Sequence, residues 1–245
     1  MVEFAAVVNI IVAVIAGILT IILHELAHGY AALALGDDTA KRAGRLSFNP
    51  LVHVDRVGTI LLPLGLAVAQ LLTVGRIAFM FGWAKPVPVA AWKFRDPRRA
   101  MMVVAAAGPA MNFVLAFAAS VLLLAIFPDA EIDDERVAIA FLIAFVEFNL
   151  VLGLFNLLPL PPLDGGRIMV GLLPLPLARA WASLERYGIV IVILLVVVLP
   201  EMSKDLGVRV DPVGWVLHRA LPWALTTELR WASEVVALFG GGGNG

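Results

Sequence analysis

Two histidines four residues apart, His24 and His28, enclose a glutamate in the stretch LHELAHGY, residues 23–30. On a helix, positions i and i+4 share a face, so both imidazoles reach one point, with Glu25 one step around the helix from it. This is the HExxH arrangement: two metal ligands and a carboxylate placed to take a proton from water at the metal. The bland alternative is a pair of helix histidines satisfied by polar neighbours. It fits poorly, because the chain around them is almost wholly Ala, Val, Ile and Leu from Phe4 onward. Ionisable groups that deep in an apolar segment are costly unless they have a partner or a task.

A catalytic zinc takes three protein ligands and keeps a fourth position open. The chain has no cysteine, which removes thiolate ligands, thiol nucleophiles and disulfides together. The third ligand must therefore be His, Asp or Glu. His53 lies in a basic loop, where a structural hydrogen bond is the stronger expectation, and His218 lies in a C-terminal amphipathic segment. Glu147 sits in mid-helix and is expected to face the bundle interior. Asp164 closes NLLPLPPLDGGR, residues 156–167, where Pro159, Pro161 and Pro162 forbid helix and Gly165-Gly166 permit a sharp turn. A carboxylate there is held on positioned chain, although an ordinary helix cap is the competing reading.

The elements that must carry these residues are membrane helices. Hydrophobic residues make up 61% of the 245 and charged ones 15%, against roughly 25% charged in a soluble domain. Mean hydropathy is +0.95. The net charge of -1, without a basic tract, argues against nucleic acid as a partner. Apolar runs occupy 4–34, 57–82, 100–127, 136–158 and 187–199, and 213–239 reads as an amphipathic interfacial helix. The first run lacks a basic leader and is longer than a signal core, so a retained span is expected.

Loops 37–56 and 76–99 are basic and 128–135 is acidic, which puts both basic loops in the cytoplasm. Segment 57–82 then lies between two loops on one face, and its Pro63 and Gly65 suit a re-entrant turn. FMFGWAKPVPV, residues 79–89, has the composition of an extended edge strand. The expected fold is an all-α polytopic membrane protein with four to six transmembrane helices and a short membrane-embedded or re-entrant extended or β segment near 57–90. Residues 1–200 are expected to form the core, and 201–245 a C-terminal amphipathic segment with a flexible Gly-rich tail.

Depth provides a separate check. At 1.5 Å per residue, His24 lies roughly 18 Å from the helix end at Gly36, and Asn112 roughly 18 Å from the helix start at Ala100. With both loops on one face these depths match, and the 136–158 helix returns to that face to deliver Asp164. Three helices are thus expected to converge on one site nearer the cytoplasm.

HELAH in one helix, GPAMN in a later one (residues 108–112) and NLLPLPPLDGGR after a third resemble the site-2 protease family of intramembrane zinc metalloproteases. NPLVHVDRVGTILLP (49–63) and FGWAKPVPV are similar to its compact prokaryotic branch, without a PDZ or CBS insertion. The resemblance implies one zinc per chain on His24, His28 and Asp164, with Glu25 as catalytic base. It also makes Asn112 and Asn156 candidates for holding substrate backbone or oxyanion. Asn112 has a helix–helix hydrogen bond as its alternative, and Asn149 is expected to serve as packing glue between helices. The implied activity is hydrolysis of a peptide bond within or near the transmembrane segment of membrane-anchored proteins, in a prokaryotic cell membrane. A transporter or metal-ion carrier would spread its ligands along a path, whereas these converge at one depth. An inactive scaffold of the same fold would not need every catalytic residue.

Overall fold

In a computed structural model, residues 2–73, 75–76, 82–130, 136–205, 207–208 and 210–240 are described. The helices, in chain order, are α1 (Val2–Ala34), α2 (Thr39–Arg42), α3 (Leu62–Thr73), α4 (Pro97–Ile126), α5 (Val137–Asn156), α6 (Asp164–Leu172), α7 (Leu175–Ser183), α8 (Gly188–Ile193), α9 (Leu199–Asp205) and α10 (Pro212–Gly240). Among the described residues there is no strand. Among these residues, five helical stretches are long and apolar enough to cross a membrane: Val7–Ala34, Arg56–Thr73, Pro97–Ile126, Val137–Asn156 and Leu175–Lys204. The chain is an integral membrane protein of all-helical, polytopic architecture.

The centre is a bundle of α1, α4 and α5. Small residues let the backbones approach, as they do where lipid supplies no hydrophobic drive between helices: Ala16, Ala105, Ala116 and Ala119 are all buried. The outer face of α1 shows Val7, Ile10, Ile11, Val14, Ile15 and Ile18 to the exterior, as a lipid-facing surface requires. Pro97 opens α4 at a position whose N–H has no intrahelical partner, and Asp96 caps it by accepting from the Arg99 N–H at 3.2 Å. α10 lies against α4 and α5, with Ala224 in their shared core.

In the segment near 57–90, a π-helical turn at Arg56–Leu61 runs into α3. Asp55 caps that turn, accepting from the N–H groups of Val57 and Gly58 at 2.9 and 2.7 Å. Residues 77–81 lie outside the described residues, so part of the expected 79–89 strand does too. Residues 82–90 carry neither helix nor ladder. Their alternate N–H groups are instead bonded one by one: Trp83 to the Gly58 carbonyl, Lys85 to that of His53, and Val87 to the Glu25 carboxylate. The Arg45 guanidinium donates to the Lys85 carbonyl at 2.6 Å.

Asp37 fastens the far end of this chain. It is fully buried, accepts from the Ala90 N–H at 2.6 Å and from Thr39, and lies 3.1 Å from the Lys93 ammonium. Burial alone would raise its pKa, but the donors of Thr39, Ala90 and Lys93 outweigh it and bring the carboxyl down to about 2. A depressed folded pKa stabilises the fold above the ordinary value of 3.8. That contribution is lost as pH falls through about 4 toward 2. Asp37→Ala is expected to lower stability by about 2 kcal/mol, since it leaves the buried Ala90 N–H without an acceptor, while Lys93 keeps Asp38 at 2.7 Å. It should also flatten this acid limb in detergent melts recorded against pH.

Candidate metal centre

α1 presents His24 and His28 inward, one turn apart, and α6 begins with Asp164 directly opposite them. Asp164 Oδ2 lies 3.2 Å from Nε2 of each histidine, and the two Nε2 atoms are 3.1 Å apart. The outer nitrogens are already engaged. His24 Nδ1 is 2.6 Å from Asn112 Oδ1, and His28 Nδ1 is 2.7 Å from the Val104 carbonyl. Both of those partners are pure acceptors, so both Nδ1 atoms carry hydrogen, and in the neutral rings both Nε2 atoms carry lone pairs. Two lone pairs and a carboxylate oxygen then crowd together with no proton among them. Asp164 Oδ2 is buried and has no hydrogen-bond donor.

A cation resolves that arrangement. Zinc bonds of about 2.0 Å in a tetrahedron put ligand atoms roughly 3.3 Å apart, close to the 3.1–3.2 Å found here. His24, His28 and Asp164 are thus a group able to hold a metal ion. The carbonyls on the two Nδ1–H groups are the kind of outer support that fixes ligand imidazoles in metalloenzymes.

Beside this triangle opens a cavity of about 560 Å³, lined by Glu25, Trp83, Ala84, Val87, Asn156 and Arg167 among others. Glu25 Oε2 accepts from the Val87 N–H at 2.9 Å. Arg167, one turn along α6 from Asp164, pairs with Glu185 at 2.7 Å on the cavity wall. Asn156 lines the cavity, its Nδ2 donating to the Leu152 carbonyl at 3.1 Å. Asn112 is fully buried, and its amide spans α4 between His24 and Asn149.

The remaining sequence candidates lie elsewhere. His53 is buried, with its Nε2 2.8 Å from the Ser47 carbonyl, and holds the loop rather than joining the cluster. His218 is exposed on α10. Glu147 does not face the bundle interior: it is exposed, because α5 turns Leu142, Val146, Asn149, Leu150 and Gly153 inward and leaves residue 147 on the opposite side.

Sequence reasoning passed over Gly108. A Cβ there would lie 2.5 Å from His28 Cε1 and Nε2 and 2.6 Å from His24 Cε1. α4 can therefore press against both ligand rings only with glycine at this point. Gly165 has a similar task where α6 meets the proline turn, since a Cβ would come 2.3 Å from the Leu158 carbonyl oxygen. The AAAGPAM run of small residues before Asn112 (105–111) was the available signal, but it does not say what the glycine touches. Gly108→Ala is expected to favour helix by about 1 kcal/mol in propensity while displacing both imidazoles. The measurement is zinc retention beside melting temperature: the metal should be lost from a protein that still folds.

A model of peptidase family M50 matches residues 125–199, the part that contains Asp164. Two relatives, each named a putative zinc metalloprotease, match over most of both chains. YwhC of Bacillus subtilis (strain 168) is 41% identical over 189 residues, covering 75% of this chain and 79% of its own. Rip2 of Mycolicibacterium smegmatis is 34% identical over 199 residues, covering 80% and 71%. The chain belongs to peptidase family M50. No solved structure gives a significant match. As an M50 peptidase with five apolar helices, it has the activity class of a metalloprotease, acting on protein at a bilayer.

Proposed function

We propose that this M50 peptidase is an intramembrane zinc endopeptidase, cutting membrane-anchored proteins within or near a transmembrane segment. One zinc ion per chain sits on His24 Nε2, His28 Nε2 and Asp164. The observation that carries this reading is the triangle of His24 Nε2, His28 Nε2 and Asp164 Oδ2, 3.1–3.2 Å apart, buried beside a cavity that also holds Glu25.

When bound, zinc supplies Lewis acidity to the scissile carbonyl and to the attacking water. Glu25 is the general base. Its Oε2 is held by the Val87 N–H, so Oε1 takes the proton and later returns it to the leaving amine. Asn156, on the cavity wall, is the candidate for holding the oxyanion or substrate backbone. The amide of Asn112 is committed on both ends to His24 and Asn149, and its role is to hold His24. A transmembrane substrate must unwind before water can reach its amide bonds, and the extended chain 82–90 along the cavity offers a surface for the unwound segment.

His24 stands roughly 15 Å along α1 from its Ala34 end; the basic loops that follow support a cytoplasmic position for that end, in a prokaryotic cell membrane. Residues 1–200 form the catalytic core and 201–245 a C-terminal segment. The test uses purified protein in detergent with single-span reporter proteins. Cleavage inside the span, stopped by a chelator and restored by zinc, is expected. Cleavage that survives complete zinc removal would contradict the proposal.

A further inference from the structure

Both histidines must carry their proton on Nδ1 to leave Nε2 free, and the two achieve this differently. His28 is held by a backbone carbonyl, that of Val104, which can only accept. His24 is held by a carboxamide, that of Asn112, and a carboxamide can turn over. With Oδ1 toward His24, the ring is protonated at Nδ1. With Nδ2 toward it, the amide donates to Nδ1, and the proton moves to Nε2, inside the ligand triangle.

What removes this ambiguity lies on another helix. Asn149 Nδ2 is 2.7 Å from the carbonyl of Phe145 and 3.0 Å from Thr20 Oγ1. The Phe145 carbonyl is a pure acceptor, so the Asn149 atom facing it must be the donor. Its Oδ1 is thereby turned to Asn112, 2.9 Å from Asn112 Nδ2. Asn112 is then forced to show Oδ1 to His24. Each step is fixed by the one before, and the sequence begins at a backbone carbonyl that cannot reverse. Thr20, Asn112 and Asn149 are all at most 1% exposed, so no water competes for these groups.

We infer that Asn149 is a positioning residue that fixes the tautomer of His24, and through it the metal affinity of the site, without a hydrogen bond to either histidine. The inference rests on the ligand set proposed above. The energetic logic is that of any buried polar network: complete, it selects one arrangement, and with one member removed it selects none.

The test is zinc affinity by chelator competition in detergent, with folding followed by gel filtration and thermal melting. Asn149→Leu should weaken zinc binding about 10-fold or more, within the range seen for outer supports of metal ligands. Adding Asn112→Asp to that variant should restore binding to within about threefold, because both oxygens of a carboxylate accept and His24 Nδ1–H is held whichever way it turns. Ser120→Ala, which deletes a buried hydroxyl of α4 that has no partner, should bind zinc as the unaltered protein does. If Asn149→Leu fails to fold, Asn149→Ala takes its place with the same expectations. Undiminished affinity in the Asn149 variant overturns the inference alone, and so does weak affinity that Asn112→Asp does not restore. Unaltered protein that binds no zinc overturns the ligand set, and the inference with it.

Discussion

Glu25→Gln is expected to abolish hydrolysis while leaving zinc bound. The substitution is nearly isosteric, and the new amide oxygen can still accept from the Val87 N–H that now holds Oε2 at 2.9 Å. What it loses is the ability to take a proton. General-base contributions run at about 10²–10⁴-fold, so a fall of at least about 10³-fold in cleavage is expected when the base is also the later acid. Glu25 is not among the ligand atoms, and metal content should stay at the level of the unaltered protein. Metal loss in Glu25→Gln would show that Glu25 acts as a ligand rather than as a base.

Asp164→Ala should have the largest effect on the metal. Two neutral imidazoles would remain, without the carboxylate that supplies the only negative charge of the ligand set. A loss of affinity on the order of 10³-fold, about 4 kcal/mol, is expected, and cleavage should go with it. The sign of the stability effect is informative. Without metal, Asp164 is a buried carboxylate whose Oδ2 has no donor, a costly state that alanine relieves. With metal, binding adds its own free energy to the fold. Chelation should therefore lower the melting temperature of the unaltered protein and leave that of Asp164→Ala unmoved. Equal chelator shifts in both proteins would exclude Asp164 from the ligand set.

The pairing of His24 with Asn112 was within reach of the sequence, since counting residues from two helix ends expected on one membrane face puts both at one depth, and they lie 2.6 Å apart. Asp164 was legible too, because three prolines keep the chain before it out of helix, although Gly165-Gly166 continue the first turn of α6 rather than making a sharp turn. The orientation of α5 was not. Its few polar residues define no polar face, and such a helix carries no signal of its phase, so Glu147 was expected inside; the expectation of Asn149 as packing glue does hold, through its bonds to Asn112 and Thr20. The grip of Val87 on Glu25 links residues 62 apart in the chain. The prolines of KPVPV announce extended chain but not which carboxylate its N–H groups will meet. Gly108 was visible within GPAMN, yet its contact with two imidazoles depends on how α1 and α4 cross.

The most direct test of the whole account is the zinc content of the detergent-purified, unaltered protein after dialysis against a weak chelator. The account predicts one zinc per chain. A folded, monodisperse sample that holds no zinc, and takes up none when it is supplied, would contradict it.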